Sequence, residues 1–270
     1  MSEPKDIFML CESIQEPSEL AKLDRTRYKA NIKYDGERVM SVKRGSEIIL
    51  FNRRGNIITK KFNEVVEAFK KIPSDFMIDG EIIDFSNNFN LLSRRALTKD
   101  LDKIKALEQE IPVKFMAFDI LSYNNKNVMN EPLTKRNEIL NDILKENTSQ
   151  NLEVVEYGEI DEMLDKAKRE NGEGIVIKDM NGVYESKRSK NWIKHKLFHE
   201  TTLTITGYTE NPKGIRATDN KENAVQISGY QSDEVKNLLD SVGYCEVFIQ
   251  YLSQSAEGRY RFPSYRGLVK

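Results

Sequence analysis

Hydrophobic and polar positions alternate with period two through three early runs, YKANIKY (28–34), RVMSVKR (38–44) and EIILFNR (47–53). That period predicts strands. The turn signals Asp35-Gly36 and Arg44-Gly45-Ser46 separate them, so the pattern predicts an antiparallel meander. The period then changes: Phe62, Val65, Val66, Phe69 and Ile72 share one face of a helix that Pro73 stops. FMIDGEIIDF (76–85) reads as a strand and residues 92–109 are polar and helix-compatible. VKFMAFDILSY (113–123), too short for a typical helix and rich in aromatics, predicts a buried strand. Amphipathic helices are predicted over about 134–146, with Ile139, Leu140, Ile143 and Leu144 as the stripe, and over about 161–171, ending at an Asn171-Gly172 C-cap. GIVIKD (174–179) predicts a short buried strand with a charged end.

After about residue 200 the texture shifts to short strands, TLTITGY (202–208), AVQISGY (224–230) and CEVFIQYL (245–252), with one helix, SDEVKNLLDSVG (232–243), between the last two. Short strands at this density predict a small barrel or sandwich. A length of 270 residues fits two domains of unequal size, and the absence of a low-complexity linker predicts a tight hinge between them.

Charged residues make up 31% of the chain, yet 42 Lys+Arg against 43 Asp+Glu leave a net charge of -1. Residues 200–270 are as balanced, with 8 against 9. A uniformly basic nucleic-acid binder is excluded; a phosphate-rich partner must meet a local patch. Cys11 and Cys245 stand far apart with no metal-ligand spacing, which gives neither a zinc site nor a disulfide framework and suits a reducing compartment. MSEPKDIF is not a secretory leader, and no window approaches the roughly 20 apolar residues that span a bilayer. A soluble, intracellular protein with no membrane partner is expected.

The string NIKYDGER (31–38) raises the first chemical question. A lysine amine is a nucleophile only when desolvation or neighbouring cations lower its pKa. Lys33 sits between Ile32 and Tyr34, with Arg38 past the turn and Gly36 leaving room for a ligand. Asp-Gly between strands is also the commonest hairpin signal, so the string alone supports a hairpin lysine and a nucleophile equally.

Attack on a nucleotide phosphate further requires cations for the phosphates, carboxylates for metal and ribose, and an aromatic platform. In order, the chain offers a basic turn, Asn52-Arg53-Arg54-Gly55; a strand carboxylate, Asp79-Gly80-Glu81; an aromatic strand, Phe115-Met116-Ala117-Phe118-Asp119; Glu173-Gly174-Ile175-Val176-Ile177-Lys178; and a dense basic run from Lys187 and Arg188 to Trp192-Ile193-Lys194-His195-Lys196. If that run is a strand, Lys194 and Lys196 share a face and His195 points away. Two lysines on one face favour an anion between them.

This ordered set resembles the covalent nucleotidyltransferases, and within them the small ATP-dependent DNA ligases. KYDGER is similar to their first motif, NRRG to their Ser-Arg-x-Gly turn with Asn52 in place of serine, DGE to the third, FMAFDIL to the adenine-stacking strand, EGIVIK to the fourth and WIKHK to the fifth. Arg261-Phe262-Pro263 resembles the start of the terminal motif, but Ser264 stands where a second arginine often follows and Arg266 lies two residues on. The resemblance implies an α+β fold: a nucleotidyltransferase domain (ATP-grasp-like, antiparallel sheets with helices) over 1–199 and an all-β OB-fold domain over 200–270 that swings between two faces.

It also implies an enzyme in which Lys33 attacks the α-phosphate of ATP and carries AMP, which passes to the 5′-phosphate of nicked duplex DNA before the 3′-hydroxyl displaces it. By the same resemblance Lys194 and Lys196 hold the α-phosphate, Glu173 with Glu81 binds Mg²⁺ (or Mn²⁺), and Glu81 with Arg38 holds the ribose. Arg53 contacts the nucleotide or the 5′-phosphate. Phe118 stacks on one face of adenine with Ile175 or Ile177 on the other, and Asn31 bonds the exocyclic amine. Lys187, Arg188, Arg261 and Arg266 are candidates for triphosphate or nucleic-acid contacts. A monomer is implied, of cellular or viral origin, in cytoplasm or nucleoid, serving replication, repair or recombination. With no DNA-binding domain before residue 30, a minimal ligase with a salt-sensitive grip is expected. RNA ligases and capping guanylyltransferases share the lysine motif; NAD-dependent ligases carry extra domains and a cysteine zinc site absent here. A noncatalytic nucleic-acid-binding protein on the same scaffold would have lost Lys33 or the WIKHK lysines, and both are present.

Overall fold

The computed structural model describes residues 6–145, 147, 149–170, 172–255 and 257–269. It divides into two compact units, Met1–His195 and Lys196–Lys270. In chain order the first begins with β1 (Leu10–Ser13), α1 (Pro17–Leu20), β2 (Tyr28–Ile32), β3 (Glu37–Arg44), β4 (Glu47–Asn52), α2 (Asn63–Lys70) and β5 (Phe76–Asp84). It continues with α3 (Phe89–Leu97), α4 (Leu101–Glu110), β6 (Val113–Tyr123), β7 (Lys126–Asn127), α5 (Leu133–Lys145), β8 (Leu152–Val154), α6 (Ile160–Arg169), β9 (Gly174–Asp179) and β10 (Arg188–Lys196).

Two sheets carry this unit, one in the order β1-β10-β9-β2 and one in the order β4-β3-β5-β6-β7 with β8 also on β6. Most pairings are antiparallel, but β1 runs parallel to β10 and β8 parallel to β6. One face of the larger sheet packs Val39, Leu50, Ile78, Ile82 and Phe115 against Val65 and Phe69 of α2 and Leu140 and Leu144 of α5. Alternation sends Asp79 and Glu81 to the other face, where Met40 and Leu121 pack with Phe8, Met9, Tyr184 and Trp192. Arg136 and Asp119, both fully buried, tie α5 to β6 through two hydrogen bonds of 2.6 and 2.8 Å. A buried pair is stable only with such complete pairing.

The expected meander is corrected. β3 pairs with β4 and with β5, whereas β2 pairs with β9 in the other sheet. Asp35-Gly36 is therefore a crossing between sheets and not a hairpin turn, because partner choice is settled by long-range packing that a local turn signal does not contain. The helix-compatible stretch 92–109 is two helices, α3 and α4; Asp100 breaks them by accepting the N–H groups of Asp102 and Lys103 at 2.9 and 3.2 Å as an N-cap. Of the expected cap of α6, Asn171 lies outside the described residues, while Gly172 donates to Ala167 O at 2.8 Å.

The second unit holds β11 (His199–Ile205), β12 (Gly207–Asn211), β13 (Gly214–Thr218), β14 (Ala224–Ile227), α7 (Tyr230–Val242), β15 (Cys245–Tyr251), β16 (Ser253–Gln254), β17 (Tyr260–Arg261) and β18 (Ser264–Leu268). Its sheets run β11-β15-β18, β12-β13-β14 and β16-β17, around Leu203, Ile205, Ile215, Val225, Ile227, Val247 and Ile249 with Val235 of α7. β13, which the sequence pattern did not single out, forms a hairpin with β12.

Candidate nucleotide site

Lys33 follows the last residue of β2. The register pairs Asn31 with Val176 and Ile32 with Ile175, and Lys33 N–H donates to Gly174 O at 2.8 Å. Glu173, one residue before β9, accepts from Lys33 Nζ through Oε2. The lysine side chain is 23% exposed and the glutamate 7%, so the pair is largely shielded from solvent. Burial alone would lower the Lys33 pKa, but the carboxylates of Glu173, Glu81 and Asp35 outweigh it and hold the ammonium above the ordinary lysine range. The lowered pKa expected from the sequence is thus reversed in the ligand-free chain.

Past Lys33 the backbone crosses to β3 through Gly36, which lies against β5. A Cβ there would fall 2.2 Å from Ile82 O and 2.8 Å from Glu81 Cγ, so only glycine permits the approach. Burial pushes the Glu81 carboxyl up to about 8; Lys33 and Arg38 oppose the rise, and Glu173 and Asp79 add to it.

Arg38 is a hub. Its guanidinium grips Asp79 by two bonds, Nε to Oδ1 at 3.1 Å and Nη2 to Oδ2 at 2.6 Å, and donates to Met9 O at 2.7 Å. It also lies 5.1, 5.5 and 5.3 Å from the ring centres of Phe8, Phe118 and Trp192. Tyr184 closes the circuit by donating to Asp79 Oδ2 at 2.7 Å and accepting from Met9 N–H at 3.0 Å. Arg38 is thereby pledged to Asp79, not to Glu81.

Phe118 is half-buried and meets Trp192 edge to face at 5.6 Å. Behind it lies Lys178, only 1% exposed, to which the sequence pattern gives no role. Strand alternation puts Asn31, Lys33, Val176 and Lys178 on one face of the β2/β9 pair and Ile32, Ile175 and Ile177 on the other. Ile175 and Ile177, expected beside the base, are fully buried on the face opposite Lys33; Val176, half-exposed, shares the face of Lys33.

Asn31 is 3% exposed and donates through Nδ2 to Ile32 O at 2.7 Å, while its Oδ1 has no hydrogen-bond partner. Asn52 builds the basic turn: Oδ1 accepts from Arg54 N and Asn56 N at 3.0 Å each, and Nδ2 donates to Glu37 at 3.0 Å. Gly55 at φ 83 completes it and leaves Arg53 exposed at its tip. On β10, His195 is buried with Nδ1 3.1 Å from Ile14 O, and Lys194 and Lys196 occupy the alternate positions as expected. Lys187 pairs with Glu185 at 2.9 Å, and Arg188 donates to Cys11 O. Within the second unit Lys196 lies 5.5 Å from the Phe262 ring centre, Arg261 donates to Ser253 Oγ at 3.3 Å, and Arg266 donates to Gln250 Oε1.

Among the described residues no three acidic, histidine or cysteine side chains converge as a metal cluster. Glu173 and Glu81 both raise the Lys33 pKa, and burial, with a smaller push from Glu173, raises that of Glu81 to about 8. Two crowded carboxylates fit a hard divalent ion that takes its remaining oxygens from phosphates and water.

Residues 8–196 match the model of the ATP dependent DNA ligase domain. The chain belongs to the ATP-dependent DNA ligase family. It is 28% identical over 277 residues to the SPbeta prophage-derived DNA ligase-like protein LigB of Bacillus subtilis, covering 95% of this chain and 96% of that one. It is 32% identical over 224 residues to a DNA ligase of Methanosphaera stadtmanae, covering 77% of this chain but 39% of that protein. The ligase fold is likewise evident in solved structures. A Lig E DNA ligase, described under the words "DNA binding with a minimal scaffold", gives a TM-score of 0.72 at 18% identity over 97% of this chain and all of that one. The ATP complex of the bacteriophage T7 ATP-dependent DNA ligase gives 0.53 at 17% identity over all of both chains. The α+β architecture with a terminal OB-fold is that of these ligases. Among the described residues no helix is long and apolar enough to cross a membrane.

Sequence reasoning gave no role to Asp79, Tyr184, Trp192, Val176 and Lys178, which bond or pack around Arg38 and Phe118 or share the face of Lys33. For Val176 a signal existed: the parity that puts Lys33 on one face of β2 also selects it once β2 and β9 are paired.

Proposed function

We propose that this ligase seals 5′-phosphate/3′-hydroxyl nicks in duplex DNA through a lysyl-AMP intermediate on Lys33. The observation that carries the reading is the constellation of Lys33, Glu173 and Glu81, with a half-exposed aromatic and an unsatisfied buried carbonyl oxygen nearby. ATP enters with its adenine between Phe118 and Val176, its exocyclic amine satisfying Asn31 Oδ1. A buried acceptor without a donor is costly, and the amine relieves that cost. Glu81 meets the ribose, and Arg38 braces the wall through Asp79. Glu173 and Glu81 would hold Mg²⁺ or Mn²⁺, which would supply charge neutralisation of the triphosphate.

Lys33 yields its proton to the Glu173 side and its nitrogen bonds to the α-phosphorus as the bond to pyrophosphate breaks. Lys194 and Lys196 stabilise the charge on the α-phosphate. The AMP passes to the 5′-phosphate of the nick, where Arg53 is suited to contact it, and the 3′-hydroxyl expels AMP as the phosphodiester forms. Residues 1–199 act as the adenylyltransferase domain and 200–270 as the OB-fold that closes over nucleotide and then over DNA. Lys187, Arg188, Arg261 and Arg266 are placed on triphosphate or DNA backbone. The protein acts as a monomer inside the cell.

The test uses ATP labelled at the α-phosphate with Mg²⁺, scoring label that survives denaturation, followed by a chase with nicked DNA or RNA. An adduct lost in Lys33→Ala and discharged on nicked DNA is expected. No adduct overturns the enzyme mechanism, discharge on RNA alone overturns the DNA assignment, and an adduct with GTP alone points to capping.

A further inference from the structure

Lys178 is a lysine inside the protein, and among the described residues no carboxylate pairs with it. The two acids that act most strongly on it are already paired, Asp119 with Arg136 and Asp79 with Arg38. Its Nζ instead donates to Phe118 O at 3.1 Å and to Tyr157 Oη at 2.9 Å, and Tyr157 donates to the same carbonyl at 2.9 Å. Three rings enclose it, with centres 4.1 Å away at Trp192, 4.5 Å at Phe118 and 5.3 Å at Tyr157. Burying an amine among neutral groups is expensive and is not explained by stability, since an apolar side chain of similar volume would serve at lower cost.

We propose that Lys178 is a positioning residue for nucleotide binding, which fixes the plane and tilt of Phe118 by holding its carbonyl and one face of its ring while the other face receives the base. The inference rests on the stacking role given to Phe118 above. Main chain and ring of one residue are held by one amine, so Phe118 is preorganised before ligand arrives, and the ordering cost is removed from binding. A cation on a ring contributes most when desolvated, as here.

The charge of the amine matters to this grip. Burial lowers the Lys178 pKa to about 7, with Asp119, Asp79 and Cys11 opposing the fall and Arg38 adding to it; Tyr157 is the remaining titratable neighbour, held neutral by burial. The ammonium gives three donors and a cation over the rings; the neutral amine loses the cation. The grip is therefore full below about pH 7 and weakens above it. Glu81 titrates in the neighbouring range, so the readout is a comparison between proteins and not a single profile.

The experiment measures lysyl-AMP formation against ATP concentration from pH 6 to 8.5 for wild type, Lys178→Met and Lys178→Arg. Lys178→Met is expected to keep its fold by circular dichroism, raise KM for ATP by about tenfold, the loss of one buried cation–π and hydrogen-bond set, and leave kcat within about twofold. The wild-type KM rises as pH climbs past about 7 in excess of any change in Lys178→Met, and Lys178→Arg retains the lower KM with no such rise. A KM unchanged in Lys178→Met, a loss confined to kcat, or parallel pH profiles would overturn the inference. Absence of any adduct in the wild type would instead overturn the lysyl-AMP mechanism, so the two failures are distinct.

Discussion

Lys33 Nζ and Glu173 Oε2 are bound to each other across the end of the β2/β9 pair, so the proposed nucleophile and this carboxylate hold one another in place. Removing the carboxylate charge removes the largest influence that raises the lysine pKa. Glu173→Gln is expected to move the rise of adduct formation with pH to lower pH while lowering its plateau and raising the Mg²⁺ requirement. Initial rates at fixed ATP across pH 6–10 check this; an unshifted rise sinks it.

Glu81 carries a proton to about pH 8 in the folded chain, above the ordinary carboxyl range. The folded state then binds more protons than the unfolded one between the ordinary range and about 8, so stability falls as pH rises through that window. Glu81→Gln should flatten the fall. Thermal midpoints at pH 5 and 8.5 provide the comparison, and equal slopes for both proteins would contradict it. Lys33, raised above its ordinary range, loses its contribution only at higher pH and does not confuse the window.

Gly36 touches the backbone of β5 where a methyl group has no room. Gly36→Ala should destabilise the first unit by about 2 kcal/mol or more through a clash with rigid main chain. It should also displace Glu81, so nucleotide affinity falls even at temperatures where the variant is folded. Denaturant midpoints with ATP titration test both parts.

Val176 and Ile175 are neighbours with opposite duties. Ile175→Ala should cost about 2–4 kcal/mol as a core truncation and leave KM for ATP nearly unchanged. Val176→Glu should barely alter stability yet raise KM severalfold by placing a carboxylate beside the base. A reversed pattern would put the nucleotide on the other face of β9.

Much of the fold was legible because the strands and the stripes of α2 and α5 follow simple periods, and VKFMAFDILSY occupies β6 from end to end. The misreading of Asp35-Gly36 came from treating proximity in sequence as pairing; β2 finds its partner far along the chain in β9, with Ile32 opposite Ile175. Asn52 looked like a departure, yet an amide whose oxygen accepts two N–H groups builds the same kind of tight turn as a hydroxyl. Lys178 was hidden for another reason: a lysine closing an apolar strand looks solvent-seeking, and only the rings gathered from β6 and β10 and from Tyr157 reveal an interior amine.

The crossing at Gly36 gives the candidate site a mechanical character. One carboxylate, Glu173, adjoins the smaller sheet, and the other, Glu81, belongs to the larger, with Lys33 at the seam where the chain steps from one to the other. The two sheets therefore share one amine, and each raises its pKa through a carboxylate of its own.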